Sequence, residues 1–206
     1  VALKKIVKGD PGLDKFAELR RQQEFSRLQK RAAPVVIALE SGVFDLAALH
    51  SALSDEKIMS LRDGVYTLRL PVYIAAGAAL NIAGTPEAPA RLRLAQESGA
   101  FVVNAGRLFI IDATVEGWNE TAGAASVFEK DDMFRPFITG WSASETYMAR
   151  ARIADLGYAA SKSYGITYSS STSMLKRDPD TPRPRGWIIA CVFERLYYGF
   201  YSYEAD

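Results

Sequence analysis

Two groups of residues in the second half of the chain have the types and spacing that binding or proton chemistry asks for. Met174-LKRDPDTPRPRG puts Lys176, Arg177, Arg183 and Arg185 into one Pro-rich stretch. That concentration of positive charge suits neutralisation of an anionic group, or else is a solvated insertion. Around it stand Tyr164, Tyr168, Tyr198, Tyr201 and Tyr203, whose rings combine an apolar face with a polar tip and stack on a ligand or on one another. Glu129, Asp131 and Asp132 around Lys130 lack the spacing of a calcium loop and read as a solvated acidic loop. The single histidine, His50, sits among apolar residues of a helical segment, which favours a packed or surface role over proton transfer. The single cysteine, Cys191, lies in an apolar run, where a small buried hydrophobe is the plain reading and a reactive thiol the other. No nucleotide loop, zinc pair or nucleophile elbow occurs, so no cofactor and no metal are expected.

The elements that must position these groups are legible from periodicity. The chain has 206 residues, 49% of them hydrophobic, and a formal net charge of +1. That is enough to bury one substantial core, with no global field to hold nucleic acid and no stretch long enough for a membrane span. Leu13, Phe16, Leu19 and Leu28 fall on one stripe and predict a cationic helix from Asp10 to Ala33. Asp45-LAALHSAL-Ser54 predicts a short capped helix. After Gly64 the pattern turns short and alternating, in Val65-YTLRL, Val72-YI, Ala79-LNI, Ala90-RLRLA, Ala100-FVVN and Arg107-LFIIDATV. These predict an all-β body. The one Asp-Gly pair, Asp63-Gly64, is read as following a helical stretch, so no two-residue hairpin is expected and a winding solenoid is favoured over a meander.

Internal similarity points the same way. Ile111-DATVE, Ile153-ADLGY and Ile189-ACVFE resemble one another, and Tyr164-GI resembles Tyr198-GF, at separations typical of stacked repeats. Two apparent insertions, Glu116 to Arg135 and Met174 to Arg185, account for the excess length. The organisation expected is an N-terminal helical segment and cap over residues 1–60, then the first coils of a β-helix over 61–206. The aromatic run Gly186-WIIACVFERLYYGFYSYEA-Asp206 has no cap of its own, so the chain is expected to be a fragment cut at that edge. Val1 is expected to be a trimmed or processed end.

Several stretches carry a family resemblance. Phe44-DLAALHSAL followed by Asp63-GVYTLRLPVYIAAGAALNIAG is similar to the start of right-handed parallel β-helices of the pectate-lyase-like superfamily. Leu108-FIIDATVEGWNE, Phe137-ITGWSASETYMARARIADLGYAASKSYGITYSSST and Arg185-GWIIACVFERLYYGFYSYEAD closely resemble the periplasmic mannuronan C5-epimerases of bacterial alginate biosynthesis. The resemblance implies an all-β, right-handed parallel β-helix with an N-terminal helical cap. It implies an isomerase that inverts C5 of mannuronate residues inside polymannuronate, located in the periplasm, with proteins of alginate secretion among its partners. It also implies a role for Lys176 as a groove lysine that neutralises the substrate carboxylate. Arg177, Arg183, Arg185, Tyr198 and Tyr201 are the substrate-binding candidates beside it.

The chemistry shows what such a site requires. Removing the C5 proton of a uronate builds negative charge beside a carboxylate, so cationic or hydrogen-bonding stabilisation must be present. Inversion needs a base on one face of the ring and an acid on the other. The family places its catalytic histidine in an Asp-Pro-His-Asp motif, which this sequence lacks; Asp178-Pro179-Asp180 has no histidine. The expectation is therefore a piece of an epimerase without its acid/base centre. A polysaccharide lyase and a non-catalytic alginate-binding or assembly module are the alternatives.

Overall fold

The computed structural model of the chain describes residues 1–6, 22–160, 162–170, 182–203 and 205. Strand β1 (Ala2–Lys5) and helix α1 (Gln22–Leu28) come first, followed by β2 (Val35–Asp45), helix α2 (Leu46–Leu53), β3 (Met59–Arg62) and β4 (Val65–Leu68). From β2 onward the backbone winds in coils. The second coil holds β5 (Val72–Ala83) and β6 (Ala90–Ala95), and the third β7 (Val102–Asn104), β8 (Arg107–Ile111) and β9 (Ala113–Asn119). After the short β10 (Ala124–Ala125), the fourth coil is β11 (Ile138–Gly140), β12 (Glu145–Ala149) and β13 (Arg152–Ala154). The fifth is β14 (Gly165–Ser169), β15 (Arg185–Ile189) and β16 (Val192–Glu194), and β17 (Tyr198–Tyr203) opens a sixth.

Corresponding strands of successive coils pair in parallel, so the solenoid has three faces. The first carries the leading halves of β2 and β5, then β7, β11, β14 and β17; the second carries their trailing halves, then β8, β12 and β15. The third carries β4, β6, β9, β13 and β16. This is a parallel β-helix.

Register fixes the interior. On the first face Ile37, Val72, Val102, Ile138 and Ile166 lie in one row, each opposite the next. All five are buried. On the second face Ile82, Ile110 and Met148 do the same, and on the third Leu92, Val115 and Ile153. Each such side chain, taken from water into the coil, contributes about 1.5–3 kcal/mol.

Helix α2 supplies the cap. Asp45 accepts a hydrogen bond from the amide of Ala48 at 2.7 Å, as an N-cap should, and Leu46 and Leu49 sink into the interior cluster against the first coil. Helix α1 does something different from covering the open end. Its Phe25 packs on Phe101, with ring centroids 4.8 Å apart, and joins a second cluster with Ile6, Phe134, Phe137, Trp141 and Tyr158 on the outside of the first face. The start of the predicted helix, at residues 10–21, lies outside the described residues.

Three further expectations are corrected. Asp63-Gly64 does turn a hairpin: both residues have positive φ, 50° and 73°, between the antiparallel β3 and β4. The helix before it ends at Leu53, and Met59-SLR is already extended. Val72-YI and Ala79-LNI are one strand, because the small residues Ala75, Ala76 and Gly77 let it bend from the first face to the second without breaking. The next coil turns the same corner at Gly106, where a Cβ would collide with the carbonyl oxygens of Ala75 and Ala78. Finally, Ile111 and Ile189 share a row with Ala149 between them, whereas Ile153 stacks between Val115 and Phe193.

Corner residues between the second and third faces form a column of left-handed backbone: Asp112 (φ 46°), Arg150 (φ 49°) and Ala190 (φ 53°). Arg150 grips Asp112 with two hydrogen bonds of 2.6 Å. The bond to Arg150 holds the Asp112 carboxyl below the usual aspartate range, with burial opposing. After the third face Asp155 (φ 60°) and Arg195 (φ 51°) repeat the clamp at 2.7 and 2.8 Å.

Two outcomes follow. Ile138→Ala, in the middle of the first interior row, should cost about 2–5 kcal/mol in chemical denaturation, since coils above and below prevent collapse of the cavity. The Asp112 carboxylate has a folded pKa below its unfolded value of about 3.9, so its stabilisation is complete above that pH and is lost as pH falls through the lower folded value. The wild type should therefore exceed Asp112→Asn in stability at neutral pH and lose that margin in acid, as read from denaturation midpoints across pH.

Candidate functional site

In sequence the cationic stretch lies between β14 on the first face and β15 on the second, of which Arg185 is the first residue. Lys176 and Arg177 lie outside the described residues. Arg183 is half-buried, and Arg185 is exposed at the head of an outward row that runs Arg107, Glu145, Arg185 through successive coils. Tyr198 and Tyr201 lie around the corner, on the first face of the sixth coil. The described candidates thus stand apart: Arg185 heads β15 on the second face, Tyr201 lies along the first face, and Tyr198 is at that face's opposite end, against Gly165.

The tyrosines differ in kind. Tyr164, Tyr197, Tyr198 and Tyr201 pack as a cluster with centroids 4.9–6.3 Å apart. Tyr198 remains 51% exposed, so part of this cluster faces solvent. Tyr201 continues an outward row from Val103 through Thr139 and Thr167. The hydroxyls of both threonines are buried without a hydrogen-bond partner among the described residues. Tyr168 points inward instead. Its ring lies against Gly140 and Gly186, where a Cβ would crowd it at 2.6 and 2.8 Å, and burial raises the phenol pKa.

Periodicity alone did not single out the second face. Phe109, Tyr147 and Trp187 occupy one outward row, and their rings stack at 4.9 Å with a 7° tilt and at 4.5 Å with a 4° tilt. Such spacing is that of adjacent strands. The Tyr147 hydroxyl donates to Glu145 at 3.1 Å. Burial and that carboxylate raise the phenol pKa, against the opposing pull of Arg107 and Arg185. The signal was available as Phe, Tyr and Trp each two residues after Arg107, Glu145 and Arg185, had the coils been aligned on those positions.

His50 and Cys191 take no part in this ladder. His50 belongs to the cap on the first coil, pairs with Glu56 at 2.9 Å and meets the edge of Tyr66. Cys191 is half-buried rather than buried, with its thiol toward the Ile189 carbonyl. Among the described residues no helix is long and apolar enough to cross a membrane.

Three winding faces and a helical plug define the chain as a parallel β-helix. No family profile matches it. Across most of its length the chain is similar in sequence to mannuronan C5-epimerases. It is 40% identical over 173 residues to mannuronan C5-epimerase AlgG of Azotobacter vinelandii, covering 84% of this chain and 32% of that protein. With the mannuronan C5-epimerase of Pseudomonas putida it shares 37% over 204 residues, covering 99% and 37%. The solved structure of the periplasmic alginate epimerase AlgG superposes with a TM-score of 0.86 at 30% identity, over 99% of this chain and 47% of the other. The chain therefore spans about a third of the length of these curated relatives and just under half of the solved one.

The Tyr147 arrangement has a measurable consequence. Glu145→Gln removes the negative charge that opposes phenolate formation, so the Tyr147 pKa should fall toward the ordinary tyrosine value. Ultraviolet difference titration against Tyr147→Phe isolates it.

Proposed function

We propose that these coils form the polymer-holding part of a mannuronan C5-epimerase, which converts mannuronate to guluronate within polymannuronate by removing and returning the C5 proton. The observation that carries this is the joint likeness in sequence and fold along nearly the whole chain. The cations Arg183 and Arg185 support it, since they bring positive charge to the start of β15, where a polyanion would cross from one face to the next. Periplasmic location and contact with alginate-secretion proteins belong to the same proposal.

The acid/base pair is not supplied by His50, which sits at the capped first coil while Arg185 lies at the fifth. A chain that holds the polymer and leaves C5 untouched is the consistent expectation for these residues alone. This also favours a second reading, an alginate-binding module, because the Asp-Pro-His-Asp motif is missing from the sequence.

Polymannuronate in deuterated water separates the readings. The 206 residues should retard in alginate affinity electrophoresis without placing deuterium at C5, and Arg185→Gln with Tyr201→Ala should weaken retardation. Joined to a coil bearing the Asp-Pro-His-Asp motif, the protein should exchange C5 protons and build guluronate. Retardation with no exchange in the joined protein leaves the binding module. An unsaturated uronate product would instead identify a lyase.

A further inference from the structure

The stack of rings on the second face stops one coil short. Opposite Phe109 in the second coil stands Asn81, and opposite Asn81 in the first stands Asp45. The Phe109 face turned toward the second coil therefore has no aromatic ring against it, whereas its other face is covered by Tyr147. Small side chains floor the gap. Ala79, Asn81 and Ala83 lie beneath it, Val43 and Ile111 close its sides, and Arg107 stands at its rim, around a hollow of about 350 Å3.

The charges at this hollow do not balance. Arg107 is exposed and makes no ion pair with any described carboxylate. Glu145, its neighbour in register, is engaged by the Tyr147 hydroxyl, and Asp45 is held by the Ala48 amide. An apolar slot one strand spacing deep, with a free aromatic face, a single unpaired guanidinium and one amide, is matched by a flat ring that carries a carboxylate.

We propose that this hollow is a binding subsite for one uronate residue of an anionic polysaccharide. The apolar face of the pyranose lies on Phe109 as the missing rung of the ladder. Its carboxylate pairs with Arg107, and a hydroxyl meets the Asn81 amide. The slot itself demands the ring and the charge; the choice of a uronate among carboxylated rings rests on the polymannuronate reading above. The subsite lies on the second face, two coils toward the capped end from Arg185 in the same outward row, so it would hold the polymer about 10 Å along the axis from that residue.

The test is titration of the 15N-labelled chain with a short oligomannuronate and with a neutral β-1,4-mannose oligomer of equal length, followed by amide NMR. The expected result is shifts at the Asn81 side chain and at Phe109 with the oligouronate alone. Arg107→Gln should weaken binding by about tenfold, the scale of one lost charge-assisted contact, and Arg107→Lys should restore part of it. Ala83→Trp, at an exposed position, should fill the hollow and abolish binding while leaving the amide spectrum elsewhere unchanged. Equal affinity for the neutral oligomer, or unchanged affinity in both Arg107→Gln and Ala83→Trp, overturns the subsite. Shifts confined to Tyr198 and Tyr201 overturn it too but leave the epimerase reading standing. Binding here with no C5 exchange in the joined protein sinks the epimerase reading and leaves the subsite.

Discussion

In-register parallel stacking is the constraint from which the rest of this molecule follows. Because each coil lies directly over the last at one strand spacing, any residue type placed at a given position meets its counterpart in the next coil. Aliphatic rows inside become a continuous core, and aromatic rows outside become stacked ladders. Rows of mixed charge become cross-coil ion pairs: on the third face Arg93 pairs with Glu116 at 2.9 Å, and Arg152 with Glu194 at 2.7 Å. One geometric rule thus accounts for the core, the Phe109–Tyr147–Trp187 ladder and the charged flank. A register slip of one residue would turn every one of these rows to the wrong side.

Holding that register is the task of the corners. A left-handed residue costs roughly 1–2 kcal/mol away from glycine, yet Asp112, Arg150, Asp155 and Arg195 all adopt it. Their side chains answer for the cost. Each left-handed position turns its side chain toward the equivalent corner of the next coil, where the carboxylate and guanidinium form the paired bonds described above. The Asp112 amide also donates to the Ala149 carbonyl, and the Arg150 amide to that of Ile189, so the strand ladder continues through the corner. Buried Arg135 acts similarly on the loops. It donates to Ser126 and to the carbonyls of Gly157 and Arg195, tying the connection after β9 to the ends of the next two coils. Burial lowers its pKa against the support of Asp155.

The same geometry explains what could be read from the residues and what could not. Alternating short strands and the Asp45 cap were legible because both are local patterns, two to four residues in reach. The coil count was not, since connections of unequal length separate the repeats. The similarity of Ile153-ADLGY to its neighbours is real in composition but four residues out of register, and only the pairing of Ala149 with Ile111 and Ile189 reveals it. Strand β2 follows Pro34 and precedes a helix, and nothing local marks its trailing half, whose outward residues are exposed. Its partner β5, thirty-odd positions later in the chain, is what makes it a strand. Of the candidate site, residue types were visible but faces were not. Arg185 and Tyr201 look adjacent in sequence and yet stand on different sides of a corner, while Arg107, far upstream, shares a row with Arg185.

Position along the axis then divides the first face into two parts. At the first coils its outer surface is occupied: α1, Ile6 and the loop through Phe134 and Phe137 cover Val36, Phe101 and Val103. Further on, the outward row changes from Val103 to Thr139, Thr167 and Tyr201, trading aliphatic side chains for hydroxyls while both threonines remain buried. The inward row changes with it, from Leu39 and Ile74 to Asn104, Gly140 and Tyr168. Asn104 stays buried because its amide bonds the Glu145 carbonyl and the Thr146 hydroxyl, and its carbonyl accepts from the Gly106 amide. Asn104 enters the interior where the neighbouring coil supplies its partners, whereas the Thr139 and Thr167 hydroxyls are buried with none among the described residues. On the first face the outward row is thus apolar and covered at the capped end and polar from the fourth coil onward, with Thr139 and Thr167 still fully buried and Tyr201 half-exposed.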